Sequence, residues 1–282
     1  MLARFAPFLF VLLWSTGFIG AKLGLPHAAP LAFLLIRYLL VITLMTSLAL
    51  LLRAPWPNTR RQWLHIGVSG LLVHAVYLGG VFMAIGAGLP AGVTSLVVGL
   101  QPLLTATVAG WLLGEAILPR QWLGLLLGFV GVTLVLSGKL GADFALDALW
   151  PALAALIGIT AGTLYQKRFC PHFDWRTGSV AQFLPTALVT GAIVTVQGSF
   201  RVDWTHEFIF ALGWLVLVLS IGAISLLNWL IRHGSAVNVA SLFYLTPPTT
   251  ALLAWLLFDE TLTGIALAGM ALAVWGVYLS RR

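Results

Sequence analysis

Residues 235–282 align without a gap onto residues 90–137 at an offset of 145, in a chain of 282 residues. Thirteen of the 48 paired positions are identical, where so apolar a composition would give roughly five by chance. Matched Leu, Ala and Gly carry little weight here. The pairs Pro102 with Pro247 and Glu115 with Glu260 carry more, with Gly124/Gly269 and Gly131/Gly276 in register beside them. Residues 146–282 therefore read as a second copy of residues 1–140. Duplication constrains the fold strongly, because each copy must supply the same elements in the same order and the copies must meet along related surfaces.

The solvent follows from composition. With 60% hydrophobic residues, 8% charged residues and a mean hydropathy of +1.02, the chain lacks the polar residues to cover a water-soluble fold. Its apolar runs reach the roughly 18 to 25 residues needed for a helix to cross a ~30 Å hydrocarbon core. The expected spans are Phe5–Leu23, Leu31–Leu52, Gln62–Gly86, Ala91–Leu113, Pro119–Ser137, Ala148–Lys167, Thr177–Gly198, Glu207–Ile231, Ala236–Phe258 and Thr261–Ser280. A β-barrel does not fit, since barrel strands alternate apolar and polar residues while these runs are continuous. The first run is not read as a cleaved signal, being too long for a signal core and having an internal counterpart in the second copy. The expected class is an all-α integral membrane protein, ten transmembrane helices arranged as two five-helix repeats.

Charge sets the orientation. With both termini cytoplasmic, the inner side holds 11 of the 15 basic residues, among them Arg53, Arg60, Arg61, Arg120, Lys167, Arg168, Arg176 and Arg232, and the outer side holds Lys22, Lys139 and Arg201. That bias follows the positive-inside rule. The pI near 10.2 then reports topology and contact with anionic lipid rather than nucleic-acid binding. Because each copy has an odd number of spans, the second enters the membrane upside down, and the repeats are inverted. A site at their interface near mid-membrane is the usual consequence. The expected location is the cell (inner) membrane. The single cysteine, Cys170, leaves no intramolecular disulfide or multi-Cys metal site, and no cofactor is expected.

Trp14-Ser15-Thr16-Gly17-Phe18 followed by Lys22, Phe33 with Arg37-Tyr38, and Leu100-Gln101-Pro102-Leu103 with Glu115, Gly124 and Gly131 resemble the EamA branch of the drug/metabolite transporter superfamily. The resemblance covers essentially the whole chain. It implies a ten-helix inverted-repeat exporter of amino acids, related metabolites or amphipathic toxicants, often driven by the proton gradient.

Polar residues inside apolar spans are costly and so point to a partner or a cavity. Arg37, about two turns into the second span, reads either as a counter-charge for a substrate carboxylate or as a tether to backbone carbonyls or to an acid such as Asp259 or Glu260. His74 lies near mid-span with Tyr77 three residues on, on nearly the same face. An imidazole titrates near neutrality, so His74 is the candidate proton carrier; its alternative is a neutral histidine bonded to a neighbouring helix. Trp14, Phe18, Tyr77, Gln101, Tyr165, Asn228 and Tyr244, with His74, are the candidate lining of a small-molecule path between the halves. Among the alternatives, each aromatic reads as an interfacial or lipid-facing anchor. Pro102 and Pro247 are expected to interrupt the fourth and ninth helices at matching depth. Glu115 and Glu260 are expected to cap the fifth and tenth helices or to form gating ion pairs, Glu115 with Arg120 for example. Gly124, Gly128 and Gly131, and Gly264, Ala268 and Ala273, form small-residue faces that pack the fifth and tenth helices together within one protomer or join two protomers in a homodimer.

Two other classes compete. Gly67-Val68-Ser69-Gly70 spells the Gly-x-Ser-Gly of intramembrane serine proteases, but a nucleophilic serine needs a base in reach, and Ser69 has no evident one. A passive channel is harder to set aside from sequence, although the spans hold no rings of acids or bases to select an ion. The charge bias carries a prediction: a cysteine or reporter placed beside Arg281 should be reached only from the cytoplasmic side, and labelling from outside would overturn both the orientation and the inversion of the repeats.

Overall fold

Apolar runs bounded by capping residues become helices in the computed structural model, which describes residues 2–89, 91–137, 146–170, 172–258 and 262–281. Among these the regular structure is helical, with one isolated antiparallel bridge, Ala28 to Val202. Eight helices are long and apolar enough to cross a membrane: α1 (Phe5–His27), α2 (Pro30–Leu51), α3 (Arg60–Gly86), α4 (Val93–Leu113), α5 (Pro119–Leu136), α6 (Leu146–Phe169), α7 (Trp175–Gln197) and α8 (His206–His233). A broken helical run over residues 236–258, α9, and a shorter apolar helix, α10 (Gly264–Ser280), follow. For these eight long helices the sequence-based boundaries agree to within a few residues.

Local chemistry fixes the ends. Pro30 and Pro119 stand in first turns, where a missing N–H costs no bond. Thr59 and Gln62 form a reciprocal capping box at α3. Asp174, Thr205, Ser235 and Thr263 cap α7, α8, α9 and α10 through their side chains. Arg176 donates to the Asp174 carboxylate at 3.0 and 2.8 Å and holds it below the usual carboxylate range. Because that pKa is depressed, the stabilisation is present at neutral pH and is lost as pH falls. Gly114 and Gly198 close α4 and α7 in the left-handed region, at φ 69° and 58°.

Irregular turns recur at equivalent places. Leu71–Leu78 in α3 and Leu215–Ala223 in α8 are wound as π-helix, and these segments lie almost one repeat offset apart. A tight turn at residues 97–100 splits α4 into Ala91–Val98 and Gln101–Leu113. Its counterpart is the 3-10 turn Leu242–Leu245, which splits α9 into Ala236–Ser241 and Thr246–Phe258. Pro102 and Pro247 were expected to break helices; each instead stands at the start of the helix after the turn, where proline is tolerated, so the turn supplies the interruption.

Packing repeats too. α6 lies against α3 and α4, and α1 lies against α8 and α9, so the first helix of each copy packs on the other copy. The most extensive contact joins α5 to α10. A Cβ added to Gly124 would lie 2.6 Å from the Gly276 carbonyl oxygen, and one added to Gly131 would lie 2.7 Å from that of Gly269. The small-residue face of α5 is therefore filled within the protomer, by Gly269, Ala273 and Gly276 of α10. Gly264, expected in that face, has nothing near it. Outside the bundle, Phe8, Trp111, Ile157 and Val196 are exposed, as suits a surface facing lipid tails.

Gly131→Leu should lower the thermal unfolding temperature of the detergent-solubilised protein by the equivalent of about 1–3 kcal/mol, the cost of overpacking. Gly264→Leu should leave it nearly unchanged. Equal effects of the two would mean that the α5–α10 seam is not tightly packed.

Candidate substrate site

Helix directions and loop contacts define two ends of the bundle. Thr177 donates to the Pro55 carbonyl at 2.7 Å, and Gln121 to that of Ser280 at 3.0 Å, at the basal end, which also holds the C-terminus. At the far end Ala29 donates to the Arg201 carbonyl at 2.9 Å and Asp203 to that of His27 at 2.7 Å.

A cavity with about 500 Å³ of empty space, counting its open mouth, lies in the half nearer the far end. Trp14, Gly17 and Ala21 of α1, Arg37 of α2, Tyr77 and Phe82 of α3, and Leu215 and Leu219 of α8 are among its lining. Trp14 and Tyr77 stack with ring centres 6.3 Å apart and planes 9° apart. Small residues at Gly17 and Ala21, one turn apart, leave the room. Arg37 is 3% exposed, and its Nε donates to the Ser220 hydroxyl at 2.9 Å. Ser220 belongs to the π-helical stretch of α8. Among the described residues no acid pairs with Arg37; Asp259 and Glu260, considered as partners from sequence, lie outside them.

The other sequence-derived residues are placed differently. His74 is fully buried and stacks on Phe183 of α7, ring centres 4.1 Å apart, outside this cavity's lining. Neither of its ring nitrogens is in a well-formed hydrogen bond, the Gln182 side chain being a polar group within reach, while its carbonyl accepts from the Tyr38 hydroxyl at 2.8 Å. Gln101 is buried with both amide atoms unpartnered, and Thr246, its repeat equivalent, has an unpartnered hydroxyl. Tyr244 is buried against Gly128 with its hydroxyl unpartnered. Tyr165 sits at the basal end and bonds His65 at 2.6 Å. The side chain of Phe18 lies outside the described residues. The cavity thus gathers Trp14, Tyr77 and Arg37, and the single cavity expected for His74, Tyr77, Gln101 and Asn228 is not what surrounds Tyr77.

Asn228 belongs instead to a closed ring of amides. Gln166 donates to the Asn228 carbonyl oxygen at 3.0 Å, Asn228 to that of Gln182 at 3.4 Å, and Gln182 to that of Gln166 at 3.1 Å. Gln182 also donates to the Ser69 hydroxyl at 3.1 Å, and Ser69 donates to the Ile66 carbonyl at 2.7 Å. The Gly-x-Ser-Gly serine is therefore one member of a polar knot across α3, α6, α7 and α8, with no imidazole bonded to it. The requirement that a buried amide find partners pointed to Asn228; Gln166 and Gln182 carried the same signal and were missed.

At the basal end Glu115 accepts the Ala236 N–H at 2.9 and 3.1 Å and lies 3.9 Å from Lys167. Lys167 also donates to the carbonyls of Gly234 and, at 3.3 Å, Ile231. The carboxylate was expected at α5, with Arg120; it sits instead on the N-terminus of α9, where the helix end favours negative charge. This places a clamp between the α4–α5 connection of the first half and α6, α8 and α9 of the second. Glu260, the equivalent acid, lies outside the described residues.

The model of the EamA-like transporter family matches residues 2–137 and again residues 148–282. A probable amino-acid metabolite efflux pump of Salmonella typhimurium is 28% identical over 98% of this chain and 93% of its own length. The uncharacterized inner membrane transporter YedA of Escherichia coli is 27% identical over 97% of this chain and 89% of its own. A protein of known crystal structure, 22% identical, shares the fold with a TM-score of 0.79 over 97% of this chain and 94% of its own. Together with the apolar helices these matches make the chain a membrane transporter and not an enzyme. By the double match that spans its two halves, it belongs to the EamA-like transporter family.

Proposed function

We propose that this protein is an inner-membrane exporter that moves amino acids, related metabolites or small amphipathic compounds by alternating access. In this reading residues 1–140 and 146–282 are two inverted five-helix repeats crossing the bilayer ten times, with the basal end and both termini in the cytoplasm. The observation that carries it is the difference between the ends: a cavity lies in the half nearer the far end, while the Glu115 clamp ties the halves together at the basal end. Inverted repeats exchange such shapes, so that loosening the clamp and closing the cavity would give the opposite state. The names of the Salmonella and Escherichia coli relatives support the direction and the membrane.

The clamp can be tested directly. Glu115→Gln keeps an acceptor for the Ala236 N–H but removes the charge facing Lys167. A cysteine at Asn238 in a Cys170→Ser background should then be labelled several-fold faster from the cytoplasmic side, and saturable counterflow in proteoliposomes should slow. Unchanged labelling would remove the clamp from the mechanism. Flux linear in concentration, without trans-stimulation, would replace the carrier by a pore.

Within the same reading His74 couples transport to protons. A buried imidazole without a well-formed hydrogen bond is costly, a cost relieved when the alternate state admits water to the ring. His74→Gln should abolish acceleration of uphill transport by an imposed pH gradient and leave exchange of substrate largely intact. Normal pH coupling in that variant would dispose of the role.

A further inference from the structure

A guanidinium 3% exposed in an otherwise apolar cavity, with no acid beside it among the described residues, is an ion without its counter-ion. Buried charges persist when paired, and a charge at membrane depth costs about 2.5–3.5 kcal/mol even on the mildest scale. We infer that the missing partner of Arg37 is the ligand, and that the cavity binds amphipathic monocarboxylates whose apolar body lies against Trp14, Tyr77 and Phe82.

Three features of the site narrow the class. Arg37 Nε is committed to Ser220 at 2.9 Å, which restrains the guanidinium and leaves Nη1 and Nη2 for a second partner. Two parallel N–H donors match the two oxygens of a carboxylate. Among the described residues Arg37 is the one charge in the lining, so a second carboxylate or a doubly charged phosphate would find no counter-charge there. Among the described residues the lining includes no acid to receive an ammonium group, so an acid without an amine fits better than the corresponding amino acid. The stacked Trp14–Tyr77 pair, with planes 9° apart, offers a flat face to an aromatic or extended aliphatic body.

Ser220 ties this recognition to the moving parts. It lies in the π-helical segment of α8, and its hydroxyl also lies 3.2 Å from the Leu215 carbonyl, to which it donates. A ligand that pulls on the guanidinium therefore acts on an irregular stretch of helix, a type of segment frequent at functional sites.

The inference rests on the transport reading for its physiological meaning, but binding can be measured without transport. Equilibrium dialysis of radiolabelled 3-phenylpropionate with the detergent-purified full chain at neutral pH should give saturable binding. Unlabelled 3-phenylpropionamide, the same body without charge, should compete roughly ten- to a hundredfold more weakly, the worth of a charge-assisted pair. Phenylalanine and phenylsuccinate should also compete more weakly than the monoacid. Arg37→Gln should abolish the preference of acid over amide, and Arg37→Lys should restore part of it. Tyr77→Leu should weaken acid and amide alike and leave their ratio intact, which separates the aromatic wall from the charge.

Absence of saturable binding, equal competition by acid and amide, or an unchanged preference in Arg37→Gln would each overturn the assignment. Should Arg37→Gln fail to fold, the acid-to-amide ratio of the native chain and of Tyr77→Leu decides by itself. Saturable, charge-selective binding with no flux in proteoliposomes would sink the transport reading and leave the site standing. Carrier-type flux of other solutes without acid binding would do the reverse.

Discussion

Where α5 meets α10, backbone lies against backbone. Gly124, Gly131, Gly269 and Gly276 bring two backbones together closely enough that a single added methyl group would meet a carbonyl oxygen. Contact of this kind is strong in a bilayer, where apolar side chains gain little by leaving lipid and close packing supplies much of the attraction between helices. It is also short-ranged, so the seam either holds or is lost. A transporter built on such a seam cannot change shape by sliding α5 past α10. Motion has to be taken up elsewhere in each half.

The elsewhere is visible in the backbone. α3 and α8 each contain a π-helical stretch, and α4 and α9 each contain a tight turn, at positions about one repeat offset apart. Such departures from the α-helix are costly where nothing satisfies the displaced groups, and they survive at sites where function uses them. Their recurrence in both copies argues against accident. Gln101 and Thr246, each just after its tight turn and each with unpartnered polar atoms, mark the same depth in the two halves. The α5–α10 seam and the four irregular stretches are thus different kinds of element, and two of the stretches, those of α3 and α8, supply Tyr77, Leu215 and Leu219 to the cavity.

Much of this was legible in the sequence, and the reasons for the rest are physical. Helix positions could be read because bilayer thickness sets the length of each apolar run, and the duplication could be read because Pro102 and Pro247 keep register. The π-helical stretches could not be read: Leu71–Leu78 and Leu215–Ala223 contain no proline and are compositionally ordinary apolar helix, and the winding arises from packing. Arg37 declared itself by its cost in lipid, yet its partner Ser220 lies 183 residues away and shares no local pattern with it. Glu115 announced a cap but not which helix it would cap, since any N-terminus at that end offers the same dipole. His74 and Tyr77 were grouped by helical periodicity. The three-residue spacing between them does not keep two side chains together once the helix is wound as π, and His74 turns to Phe183 of α7 while Tyr77 meets Trp14.

The amide ring of Gln166, Asn228 and Gln182 has a consequence for the response to voltage. Each member is a neutral amide that donates once and accepts once around the cycle, and dipoles set head to tail in a closed ring largely cancel. An electric field across the membrane finds little to pull on there. Arg37 is the contrast, since a unit charge carried through the whole field is worth about 2.3 kcal/mol per 100 mV. A cycle in which that charge shifts while empty, but not while neutralised by an anion, would make the return of the empty carrier the voltage-sensitive step. The amide knot is thus a buried polar cluster that the membrane potential scarcely feels, and Arg37 a buried side chain that it does.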